Sequence, residues 1–67
     1  MQSVNSITGK EVLVLEDDIL LGKRIEAFLS DLGMEVTAVG TCAEAQVALK
    51  EMFFDFALFD LNLPDGD

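Results

Sequence analysis

The sequence predicts an α/β fold, a doubly wound parallel sheet truncated to three strands in the order 2-1-3 and accompanied by two helices. Two observations carry this. The apolar run at residues 12–15 is continuous rather than alternating, and residues 53–59 are aromatic and aliphatic with only Asp55 polar, as expected of parallel strands covered on both faces. Between them, two segments repeat their apolar residues at helical spacing and each opens on a helix-start signal. The resulting β-α-β-α-β order needs crossover connections. Such connections are right-handed, which sets successive strands side by side in one parallel sheet.

Residues 1–9 interleave Ser3, Asn5, Ser6 and Thr8 with Val4 and Ile7 and end at Gly9, which reads as a flexible leader before the folded part, residues 10–67. Val12, Leu13, Val14 and Leu15 form the first strand. Asp17 or Asp18 then caps a helix whose apolar set is Ile19, Leu21, Ile25, Phe28, Leu29 and Leu32, and Gly33 supplies its left-handed C-terminal cap. Residues 34–39, with Val36, Thr37 and Val39, read as the second strand, closed by Gly40. Thr41 and Glu44 have the Thr-x-x-Glu spacing of a capping box. The second helix follows, with Ala45, Ala48, Leu49 and Met52 as its core stripe. Residues 53–59 read as a third, buried strand that delivers Asp60 at its end, and Asn62, Pro64, Asp65, Gly66 and Asp67 are loop formers.

Composition narrows the function. A chain of 67 residues makes at most one domain and buries only about 60% of its unfolded surface, so help from a partner surface is expected. The 51% hydrophobic content nonetheless argues against disorder. Thirteen Asp and Glu against four Lys and Arg give a net charge of −9, which repels nucleic-acid phosphates and excludes direct nucleic-acid binding. The single cysteine, Cys42, forms no intrachain disulfide and reads as a small packing residue. The absence of histidine rules out Ser-His-Asp and Cys-His catalysis within the chain. No apolar run approaches the ~18 residues of a membrane span, and a soluble, cytoplasmic protein is expected.

Ligands of open parallel sheets bind beyond the carboxyl ends of the strands. Glu16, Asp17 and Asp60 leave the first and third strands at that edge. Two unit charges about 4 Å apart repel by roughly 4 kcal/mol at an effective dielectric near 20. A cation between them relieves this, and Mg²⁺, which takes oxygen ligands and shares them with phosphate oxygens, suits such a set.

The segments Val12-Leu13-Val14-Leu15-Glu16-Asp17-Asp18 and Phe54-Asp55-Phe56-Ala57-Leu58-Phe59-Asp60-Leu61-Asn62-Leu63-Pro64-Asp65-Gly66-Asp67 together resemble the receiver domain of bacterial two-component response regulators. The resemblance covers the N-terminal β-α-β-α-β part of that flavodoxin-like domain, from about Lys10 onward. It implies phosphorelay signalling rather than enzymatic turnover. By this resemblance Asp60 is the phosphoacceptor, Asp17 a direct Mg²⁺ ligand, Glu16 an acidic neighbour acting through a metal-bound water, and Asn62 a ligand through its backbone carbonyl. Pro64 matches the loop proline, and Asp18 has no family role and reads as a helix cap. The implied partner is a histidine kinase or phosphotransfer protein, which would supply the histidine this chain lacks. The family's later Ser or Thr and Lys would fall after Asp67, so the sequence is expected to be a fragment that pairs with the missing C-terminal half or with itself.

Three other readings compete with this one. One is an inactive half-receiver serving as a structural or self-assembling module. Another is a haloacid-dehalogenase-like phosphatase, which needs a second Asp two residues after its nucleophile. Asn62 stands there and cannot transfer a proton, and that family's nucleophile strand comes first rather than third. A calcium-binding EF-hand fails as well, because Asp65 occupies the sixth position from Asp60, where glycine is required.

Overall fold

The computed structural model describes residues 7–60. Along the chain lie β1 (Glu11–Glu16), α1 (Ile19–Asp31), β2 (Glu35–Val39), α2 (Cys42–Glu51) and β3 (Phe56–Asp60). The strands form one sheet in the order β2-β1-β3, parallel throughout. The predicted fold class and strand order are those observed.

Strand β1 is the centre. Val12, Leu13, Val14 and Leu15 are all buried, because only this strand has a neighbour on each edge and a helix on each face. Side chains alternate along it. Leu13 and Leu15 meet Ala45 of α2, with Val39, Ala48 and Phe54 around them. The start of β1 is clamped by a residue just before β3. The Glu11 N–H donates to Asp55 Oδ2 at 2.8 Å, and the Asp55 N–H donates to the Glu11 carbonyl at 2.8 Å.

The helix ends follow their sequence signals. Asp18 is the N-cap of α1, its Oδ1 accepting the Leu21 N–H at 3.1 Å. At the other end the Gly33 N–H donates to Ser30 O at 2.9 Å and the Met34 N–H to Leu29 O at 3.2 Å, the paired bonds of a Schellman motif. Gly33 takes φ +93° to make them. In α2, Thr41 Oγ1 accepts the Glu44 N–H at 3.1 Å. The return bond differs from the expected box, since Glu44 Oε1 accepts from Gly40 at 2.9 Å and not from Thr41.

Burial departs from expectation in four places, one of them on α2, where Leu49 and Met52 of the expected core stripe are exposed and only Ala45 is buried. Strand β3 is exposed along its whole length instead of buried. Among the described residues its only neighbouring element is β1, and α1 and α2 pack on β1 and β2 alone. On α1, Leu21, Gly22, Ile25 and Leu29 form the covered stripe, while Ile19, Phe28 and Leu32 are exposed, because no described residue packs along the outer flank of that helix. Cys42, the expected packing residue, is exposed at the first turn of α2.

Gly33 gives a direct test of the local geometry. A Cβ there would sit 3.1 Å from Thr8 Oγ1 and 3.3 Å from its Cγ2, and the left-handed backbone penalises any L side chain. Gly33→Ala is expected to destabilise the fold by about 1–2 kcal/mol, read as a lower urea midpoint. The control is Gly9→Ala, where the backbone is also left-handed but nothing lies within 4 Å, so its cost is expected to be smaller.

Candidate functional site

The register of β1 and β3 builds the acidic edge. Val12 pairs with Phe56, and stepping along the parallel ladder sets Glu16 opposite Asp60. Asp17 follows Glu16 directly, in the turn that leads into α1. The three carboxylates expected at the carboxyl edge of the sheet are therefore brought to it. Asp17 and Asp60 are exposed, whereas Glu16 is only 4% exposed.

Glu16 is the one buried charged residue among those described. Its Oε2 accepts the Asp18 N–H at 2.9 Å, and its Oε1 has no hydrogen-bond partner. The first turn of α1 lies close over its stem: a Cβ at Gly22 would be 3.7 Å from both Cβ and Cγ of Glu16. On the β2 side, Glu16 borders an open cleft of about 200 Å³ whose lining includes Ile19, Gly22, Lys23, Glu26 and Val39.

These surroundings act on the Glu16 carboxyl in opposite directions. The Asp18 N–H draws its pKa down, while burial and the carboxyls of Asp17 and Asp60 push it up, and the net result lies above its ordinary value. The charged form is thus disfavoured by exclusion from water and by like charge.

Among the described residues, no three Asp, Glu, Cys or His side chains are gathered so that they could hold a metal ion. Glu16, Asp17 and Asp60 share an edge without forming a closed ligand set. Their chemistry nevertheless fits a hard divalent cation, since all donors are carboxylate oxygens and Glu16 Oε1 is a buried acceptor with no partner. Asn62, assigned to the site by the resemblance, and Pro64, matched to the loop proline, lie outside the described residues. Two features escaped the sequence reading. One is the bond from Asp18 back to Glu16. The other is the Asp55 clamp, for which a single polar residue in an apolar run was the available signal.

A three-stranded parallel sheet in the order 2-1-3, flanked by helices and acidic at its carboxyl edge, is the architecture of the first part of a receiver domain. The chain is similar to a receiver-like segment of response-regulator proteins. It is 41% identical over 56 residues to the swarming motility regulation protein RssB of Serratia marcescens, covering 84% of this chain and 26% of that protein. Over 56 residues it is 43% identical to the virulence transcriptional regulatory protein PhoP of Salmonella typhimurium, covering 84% of this chain and 25% of PhoP. The transcriptional regulatory protein GltR of Pseudomonas aeruginosa is 34% identical over 62 residues, 92% of this chain and 26% of GltR. The chain thus spans about a quarter of the length of these curated relatives. No family model matches it, and no solved structure does. No helix among the described residues is long and apolar enough to cross a membrane.

The raised Glu16 pKa predicts a pH dependence. A carboxyl whose pKa is higher folded than unfolded contributes stability that is fully present below the unfolded pKa and is lost as pH rises through the folded one. With a chelator present, Glu16→Gln is therefore expected to be more stable than the parent at pH 7, since the amide oxygen can still accept from Asp18. The advantage should shrink as pH falls toward the ordinary value of 4.5. Urea midpoints measured across that range check it, and a variant no more stable than the parent at pH 7 would contradict the assignment.

Proposed function

We propose that this chain is the acceptor part of a phosphorelay receiver in which Asp60 takes a phosphoryl group from a histidine of a partner kinase or phosphotransfer protein. The observation that carries this reading is the register pairing of exposed Asp60 with buried Glu16 at the carboxyl edge of the sheet. Asp60 is open to a donor, and the sheet fixes its backbone. In the transfer, an Asp60 carboxylate oxygen attacks phosphorus in line, the bond from phosphorus to the imidazole nitrogen breaks, and the imidazole leaves with the electron pair. The product is an acyl phosphate on Asp60.

Glu16, Asp17 and Asp60, with the backbone carbonyl of Asn62, would hold Mg²⁺, which when bound neutralises charge on the phosphoryl oxygens. The chain's own residues supply the rest. Glu16 anchors the turn beneath the site through its bond to Asp18, and Asp17 presents an exposed carboxylate beside the acceptor. The bare outer edge and both faces of β3 would pair with the C-terminal half of a receiver, or with a second copy.

That bare strand also favours a second reading, in which the segment is a structural or self-assembling half-receiver without phosphoryl transfer. The two readings separate on labelling. Embedded in a receiver with its C-terminal half supplied, the parent sequence is expected to take up phosphate from acetyl phosphate in a base-labile, acid-stable linkage. Asp60→Asn is expected to lose it. Equal labelling of that variant would remove Asp60 from the role, and no labelling of either would favour the structural module.

Metal binding makes a separate prediction. A ligand that binds only the folded state stabilises it by RT ln(1 + [L]/Kd), so excess Mg²⁺ should raise the melting temperature of the parent chain. Asp17→Asn should abolish the rise. Identical melting of the two proteins across a Mg²⁺ titration would sink the assignment.

A further inference from the structure

We propose that Asp18 is a positioning residue for the acidic edge, setting where Asp17 presents its carboxylate. The inference rests on the reading of Asp17 as a metal ligand and adds a residue to which the family resemblance gives no part.

Three bonds converge on Asp18. Its N–H donates to Glu16 Oε2 at 2.9 Å, its Oδ1 accepts the Leu21 N–H at 3.1 Å, and its carbonyl accepts the Gly22 N–H at 2.8 Å. One side of Asp17 is thus tied to the last residue of β1, itself in register with Asp60. The other side is tied to the first turn of α1, which lies on the stem of Glu16. Asp17 is the single residue spanning two fixed points. Its backbone has little freedom, and its side chain keeps only its own torsions.

The bond from Asp18 to Glu16 couples the two ends. It requires the Glu16 carboxylate to turn one oxygen toward the helix, which fixes the direction of the other, Oε1, the oxygen without a partner. Loss of the Asp18 cap frees the helix start and with it the turn. The distance of Asp17 from Asp60 then has to be set at the moment of binding, and that ordering weakens the affinity.

Charge and position are separable because asparagine caps a helix as well as aspartate, whereas alanine does not. The test is Mg²⁺ titration of the full chain by NMR, comparing the parent, Asp18→Asn and Asp18→Ala. Both variants lose the same charge. The expected result is that D18A binds Mg²⁺ about fivefold more weakly than D18N, the factor a lost cap represents. A purely structural role would lower the melting temperature of D18A and leave the dissociation constant of its folded fraction equal to that of D18N, and this would overturn the proposal. So would an equal loss in both variants, which would assign the effect to charge.

Hydrogen exchange of the position-18 amide gives a readout without metal. It is expected to be faster in D18A than in D18N, and equal rates would show that the cap does not hold the turn. If the parent itself gives no Mg²⁺ response, it is the metal reading that fails, and the exchange comparison alone then decides whether Asp18 fixes the turn.

Discussion

The fold hangs on β1. Among the described residues it is the only strand paired on both edges, and its four central residues are the most enclosed stretch. Both helices pack on it. Because parallel strands cannot be joined by a hairpin, each neighbour of β1 has to arrive through a helix, and the helix that brings it also covers a face of the sheet. One hydrophobic strand therefore organises every other element. The same geometry sends the residues just past its carboxyl end to the edge where ligands of such sheets bind.

The acidic edge gains its character from the contrast between Glu16 and its two neighbours. Asp17 and Asp60 stand exposed to water. Glu16 is enclosed by the first turn of α1 and by the ends of two strands, so its ionised form loses hydration and faces like charge as well. A single backbone N–H, that of Asp18, offsets part of this. The arrangement stores an electrostatic demand that a cation or a donor group would satisfy, at the edge to which the sheet also brings the Asp60 carboxyl.

Much of this was legible in the residues. The run at residues 12–15 gave β1, Gly33 and the Thr41/Glu44 spacing gave helix boundaries, and strand polarity put Glu16 and Asp60 at one edge. The misjudged features all depend on what lies beside an element rather than on the element itself. The sequence of β3 has the apolar character of a central strand, yet it stands at an edge with Phe56 49% and Phe59 57% exposed, because hydrophobicity records what a strand is suited to contact and not what is present. Phe28 and Leu32 fit the helical period equally well but face outward from α1. Glu44 has the spacing of a box partner, and which N–H it reaches is decided by the backbone direction at Gly40, which spacing does not encode.

The parallel register also has a consequence for the order of assembly. Pairing Glu11 with Asp55 closes 44 residues of chain, and the β1–β3 ladder follows from it, whereas β2 reaches β1 across one helix and a turn. Contacts between residues distant in sequence carry the larger loop-closure entropy and form late. The site is thus expected to assemble last, with Glu16 and Asp17 already at the end of an ordered strand when Asp60 reaches them. Carboxylate repulsion is therefore met only after most of the hydrophobic surface of β1 has been covered, and its effect falls on the docking of β3 and not on the nucleation of the sheet.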